Sequence, residues 1–124
     1  MLKDRNAHIA VSTDGRQVGK TTLLLDVALA NARRGLVVDF WSWSVRESLC
    51  AFDLARSLVP PTDRGVTFSP VNGSMSVRYP RGGRVRFMDR MRGGWIGTGV
   101  ADMEVVDDRD GQGGVTRREV KGAF

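Results

Sequence analysis

Cysteine is nearly missing from this chain. Cys50 is the only one, so no internal disulfide can staple the fold. That scarcity suits a reducing compartment better than secretion. Histidine also occurs once, at His8, too few for a histidine metal site. Long hydrophobic runs are lacking as well. The longest mostly apolar stretch, residues 23–32, is broken by Asp26 and Asn31 and is too short to span a bilayer. The opening residues, Met1-Leu2-Lys3-Asp4-Arg5-Asn6, carry charge where a signal peptide would be apolar. The expected protein is therefore soluble and cytoplasmic, with no membrane partner.

What the chain does have is arginine, glycine and enough apolar residues for a core. Its 124 residues suit one small domain, residues 1–124, and 41% are hydrophobic against 27% charged. Fifteen glycines imply many turns. The net charge is +5, carried by sixteen Arg and three Lys against fourteen acids. Six of those arginines (Arg78, Arg81, Arg84, Arg86, Arg90 and Arg92) fall in one segment with a single acid, Asp89. Such a segment is a candidate nucleic-acid contact, because guanidinium groups neutralise backbone phosphates. DNA is the expected partner.

Periodicity and breakers divide the chain. His8–Ser12 reads as a buried strand, followed by a turn at Thr13-Asp14-Gly15. Residues 19–34 read as a helix with little polar face, stopped by Gly35 after two basic residues. Leu36–Phe40 is a second strand. Val45–Leu58 is a second helix, ended before Pro60-Pro61. Short strands follow at residues 66–68, 75–79 and 84–88, separated by Asn72-Gly73 and Gly82-Gly83 turns. In the last two, arginines alternate with apolar residues and should share one face. Residues 103–106 form a further strand ending at Asp107-Asp108. Residues 109–124 read as a polar, Gly-rich tail with a weak strand near 115–120. Alternating strands and helices predict an α/β fold with a mainly parallel sheet flanked by helices.

The sharpest motif is Asp14-Gly15-Arg16-Gln17-Val18-Gly19-Lys20-Thr21-Thr22, set between a strand and a long helix. That context suits a loop whose backbone N–H groups cradle phosphates at a helix N-terminus. Gly15 through Thr22 are the candidate nucleotide-binding residues. Gly19 allows close approach to the anion, Lys20 reaches the β- and γ-phosphates, and Thr21 ligates Mg²⁺. The loop departs from the usual pattern, with Asp14 where the first glycine belongs and Gly15 one position late. Asp107-Asp108 supplies the acidic pair of such a site. Asp107 would hold Mg²⁺, and Asp108 would orient or deprotonate the attacking water.

Arg16-Gln17-Val18-Gly19-Lys20-Thr21-Thr22 resembles the Walker A loop of the large terminase subunits of tailed phages. Asn72-Gly73-Ser74, Val77-Arg78-Tyr79 and residues 82–87 are similar to that family's stretch before Walker B. Residues 97–103 with Val105-Val106-Asp107-Asp108 look like its approach to Walker B. The likeness covers residues 8–108, though only the Walker motifs are specific. It implies a P-loop NTPase fold of the additional-strand catalytic-glutamate (ASCE) type and an ATPase, in a family that drives DNA into capsids. It also implies that Arg16 stabilises the γ-phosphate transition state and that Asp108 is the catalytic acid. The family carries Glu at that position, so slow hydrolysis is expected. With no nuclease domain and 16 residues after Asp108, little room is left for the family's coupling motif, and the expected protein is a stand-alone, phage-encoded relative in the host cytoplasm that self-associates as a homo-oligomer.

Two rival functions stay open on the sequence. One is a nucleotide-binding protein with little or no hydrolysis that works through partner contacts. The other is a recombinase- or helicase-like ATPase. Among other residues, Cys50 sits between Leu49 and Ala51-Phe52 and is expected to pack in the core. Trp41 and Trp43, just past the second strand, are also expected in the core. Trp95, in a glycine-rich loop, is a candidate exposed contact and a candidate element of self-association.

Overall fold

The computed structural model describes residues 5–12, 19–71, 75–90, 101–108 and 112–119. In chain order the elements are β1 (Arg5–Ser12), α1 (Lys20–Arg33), β2 (Val37–Ser42), α2 (Val45–Leu58), β3 (Thr67–Ser69), β4 (Ser76–Arg78), β5 (Arg84–Asp89), β6 (Met103–Asp107) and β7 (Gln112–Glu119).

Local chemistry explains the helix bounds. α1 buries Leu24, Leu25, Ala28, Leu29 and Ala32, spaced along one stripe. It ends in a Schellman pattern, with Gly35 N–H donating to the Ala32 carbonyl at 3.0 Å and Leu36 N–H to the Asn31 carbonyl at 3.1 Å. Ser44 caps α2 by accepting from the Glu47 N–H at 3.4 Å, and Pro60 follows the last turn. The buried α2 positions are Ser48, Ala51, Phe52 and Ala55.

All seven strands form one sheet in the order β1-β7-β6-β2-β5-β4-β3. The expected mainly parallel, helix-flanked P-loop (ASCE) sheet is not what forms. Only β6/β2 and β2/β5 are parallel; the other four neighbouring pairs are antiparallel. Parallel neighbours need a long crossover, usually a helix, and the described residues contain two helices. Short connections give antiparallel neighbours instead. β4 turns into β5 through residues 79–83, with Tyr79 N–H donating to the Gly83 carbonyl at 2.8 Å. β6 and β7 are likewise antiparallel neighbours. The segment read as a polar tail thus supplies an interior strand. It separates β6 from β1, which pairs with β7 at the sheet edge.

One core cluster joins α1 and α2 to Val38 and Phe40 of β2, Val85 and Phe87 of β5, and Met103 and Val105 of β6. These strand residues share one face by alternation, so both helices cover the same side of the sheet. The Phe87 ring stacks edge-on against Phe52 of α2 at 5.5 Å and lies 5.8 Å from Phe40. No helix is long and apolar enough to cross a membrane among the described residues.

The contact between the β4–β5 turn and the end of α1 is tight enough to test. A Cβ on Gly83 would lie 1.8 Å from the Ala32 carbonyl oxygen, a backbone atom that cannot swing aside. Gly83→Ala is expected to lower unfolding stability by about 2 kcal/mol or more, at the upper end of overpacking costs. Urea denaturation followed by circular dichroism checks this, and an unchanged midpoint would show that the turn does not press on α1.

Candidate functional site

The first turn of α1 faces the carboxyl end of β6. Gly19 precedes the helix with φ 81°, a left-handed conformation that favours glycine, and makes no side-chain cap. The residues after it turn inward. Lys20 is 1% exposed, and its Nζ lies 2.7 Å from Asp107 Oδ1. Lys20 Nζ also donates to the Asp108 carbonyl. The Thr21 hydroxyl donates to Asp107 Oδ2 at 2.7 Å. One carboxylate therefore receives an ammonium and a hydroxyl from the same helical turn. Burying Lys20 is tolerable only because this partner is present.

Sheet register adds further polar groups at the same edge. Ser42 pairs with Asp89 at the ends of β2 and β5. On its other side, Trp41 pairs with Val106, which puts Ser42 and Asp107 on the next rung. Asp107, Ser42 and Asp89 thus end three adjacent parallel strands on the helix-covered side. The Ser42 hydroxyl is buried and has no hydrogen-bond partner among the described residues. Arg90, just past β5, places its guanidinium 3.3 Å from Asp108 Oδ1.

A cavity of about 480 Å³ opens beside this cluster, lined by Thr21, Asp107 and Asp108 on one side and by Glu47, Cys50, Ala51 and Leu54 of α2 on the other. Its size and its split between polar and apolar walls suit a nucleotide-sized ligand. It also lies at the carboxyl ends of parallel strands, where sheet proteins commonly bind ligands.

Of the residues singled out in the sequence, Gly19, Lys20, Thr21, Asp107 and Asp108 come together here, although 86 residues separate Thr21 from Asp107. Thr22 follows within α1. Gly15, Arg16, Gln17 and Val18 lie outside the described residues, as do Arg92 and Trp95. Cys50 is exposed rather than in the core and lines the cavity. The reason is helical spacing, since the buried positions 48, 51, 52 and 55 leave it off the core-facing stripe, on the flank of α2 that borders the cavity. Trp41 and Trp43 are half-buried and outside the core cluster. The α2 wall of the cavity was missed by the sequence reading, and that spacing is the signal that could have found it.

The arginine segment does not form one accessible face. Arg78 and Arg81 are exposed, and Arg84 is half-buried opposite Arg78 on the sheet. Burial, together with the neighbouring Arg86 and Arg78 charges, pulls the Arg84 guanidinium below its usual range. Arg90 points to Asp108 at the opposite end of β5. Arg86 is 1% exposed and binds Asp39 in a two-bond fork, Nε to Oδ1 at 2.5 Å and Nη2 to Oδ2 at 3.0 Å. Burial pushes the Asp39 carboxyl above the usual carboxylate range, and the Arg86 bond and charge offset this only in part. Arg86 is therefore unavailable to a nucleic acid.

Thr21 and Asp107 fit a bound Mg²⁺. This ion is commonly held by one or two carboxylates plus substrate phosphates and water, and it needs no large protein cage. No group of three or more His, Cys, Asp or Glu side chains that could hold a metal alone occurs among the described residues. In comparisons with known proteins, no family model, no curated protein and no solved structure matches this chain.

The buried fork makes its own prediction. Arg86→Met alone strands a buried carboxylate and should lower stability by about 3 kcal/mol or more, whereas Asp39→Leu with Arg86→Met should recover most of it. Denaturant midpoints of the single and double variants check this. A single variant as stable as the parent would mean that Arg86 does not hold the sheet.

Proposed function

We propose that the chain binds ATP with Mg²⁺ in the cleft between α1, α2 and the end of β6, and hydrolyses it slowly. This is the chemistry that the likeness of residues 16–22 to terminase large subunits implies, here on a differently ordered sheet. The observation that carries the reading is the meeting of Lys20 and Thr21 with Asp107, at 2.7 Å each, beside a cavity of about 480 Å³.

The residues divide the work by chemistry. The N–H groups at the start of α1 have no carbonyl partners one turn back within the helix, and the helix dipole adds positive character there. A triphosphate on this end would take up those donors and the Lys20 ammonium. Mg²⁺ supplies charge neutralisation between phosphate oxygens when bound; Thr21 and Asp107 are the groups that would hold it. The apolar wall of Ala51 and Leu54 gives the rest of the nucleotide a surface away from water. Asp108 stands next to the phosphate end of the cavity and is the group to orient a water.

One contact favours binding over rapid turnover. The Asp108 carboxylate is paired with Arg90 at 3.3 Å, so it must leave that contact to reach a water. Asp is also one methylene shorter than Glu, and a misplacement near 1 Å can cost about a hundredfold in rate.

Calorimetry with Mg·ATP tests the reading. Lys20→Ala should weaken binding by about tenfold to a hundredfold, the range for a charged hydrogen bond, with circular dichroism showing that the fold persists. Asp108→Asn should keep binding and lose turnover. Parent-like ATP affinity in Lys20→Ala would overturn the proposed site.

A further inference from the structure

The end of the molecule opposite the α1 N-terminus carries a second built cavity. It measures about 260 Å³ and is lined by Arg33, Thr62, Asp63, Arg64, Tyr79 and Arg81, with Pro80 completing the wall. α1 runs from Lys20 to Arg33, so its 14 residues set the two cavities about 20 Å apart.

Three features make this a site rather than a surface dent. The first is charge. Three guanidinium groups face one carboxylate, leaving a local excess of two positive charges. Arg33 anchors the wall by pairing with Asp63 at 2.8 Å, while its side chain remains 52% exposed. Arg64 and Arg81 are exposed, and no ion pair of either is recorded among the described residues.

The second feature is an idle donor. Tyr79 is 6% exposed, and its O–H donates to no group among the described residues, although the Arg33 guanidinium lies close to its oxygen. Burial raises the Tyr79 pKa above its ordinary value, with the Arg33 charge opposing, so the phenol stays protonated and able to donate at neutral pH. The third is rigidity. Gly65 has φ 77°, and a Cβ there would lie 2.7 Å from Pro80 Cγ, so the 61–65 loop is pressed against the 79–82 turn. Two tight turns packed on each other fix the backbone positions from which Arg64 and Arg81 reach the cavity.

We propose that this cavity binds a phosphate group, through the Arg64 and Arg81 guanidiniums with Tyr79 as a hydroxyl donor. Guanidinium forks match phosphate oxygens, and a local charge of about plus two suits a phosphate dianion. The group can belong to a small phosphate or to a nucleic-acid backbone, and the chemistry recognised is the same. The site is independent of ATP binding at Lys20.

Amide NMR of the full chain titrated with inorganic phosphate separates the two ends. Shifts at residues 62–64 and 79–81 report this cavity, and shifts at residues 19–21 report the other. The expected result is a saturable response at the first group. It should weaken about tenfold in Arg81→Ala, the cost of one charged hydrogen bond, and also weaken in Tyr79→Phe, which removes only the hydroxyl. A single-stranded oligonucleotide forms the second arm. If it shifts the same amides and loses affinity in Arg81→Ala, the source is a nucleic-acid backbone; phosphate binding without it marks a small phosphate ligand. No response at residues 62–64 and 79–81 to either probe, or responses unchanged in both variants, would overturn the proposal.

Discussion

The Asp107 carboxylate accepts from two side chains of one helical turn, and the arrangement of the cleft follows from that contact. Lys20 brings a full charge into a place closed to solvent, and Thr21 brings a hydroxyl to the second carboxylate oxygen. A buried ammonium without its counter-ion costs several kcal/mol, so the helix start and the end of β6 are tied together. The tie puts the open N–H groups of α1 beside Asp108 and across from α2. It also makes the site responsive. An anion that offers Lys20 better oxygens, or a cation that takes Asp107, competes with an interaction inside the protein.

Charge is sorted along the molecule. At the carboxyl ends of the parallel strands, Asp89, Asp107 and Asp108 gather around Lys20 and Arg90. At the opposite end lie Arg33, Arg34, Arg64, Arg78, Arg81 and Arg84, facing Asp63 and Asp102. Asp102 is already used, since its carboxylate accepts from the Val37 N–H at 2.8 Å. Among the described residues, the basic character is therefore concentrated at one end of the fold rather than along the 78–90 segment. Arg33, Arg34 and Arg64 join it from distant parts of the chain, while Arg86 and Arg90 leave it for Asp39 and Asp108.

Much of the local structure was legible because local chemistry specified it. α2 forms over Val45–Leu58 as expected, with Ser44 and Glu47 at its start and Pro60 beyond its end. The Lys20–Thr21 and Asp107–Asp108 pairing was legible from residue types that rarely meet without reason in that context. Strand order was not. Alternation tells which face a residue takes but not which strand lies beside it. The Asn72-Gly73 and Gly82-Gly83 turns did signal hairpins, yet the α/β alternation outweighed them, and the segment after Asp108 was read as a polar tail with only a weak strand. The Arg86 partner was equally hidden, because Asp39 lies 47 residues away on a parallel neighbour. Cys50 was misplaced for a different reason: its apolar neighbours in sequence are not its neighbours on the helix.

Cys50 offers the most direct view of the central claim, that a nucleotide with Mg²⁺ occupies the cleft anchored by Asp107. Its thiol is exposed and lines that cleft opposite Thr21 and Asp107, and no other cysteine competes for reagent. The rate of Cys50 alkylation can be followed by mass spectrometry with Mg·ATP, with ATP plus a chelator, and with AMP. The account predicts marked slowing by Mg·ATP and little by the other two. Equal alkylation rates under all three conditions, at saturating nucleotide, would contradict it.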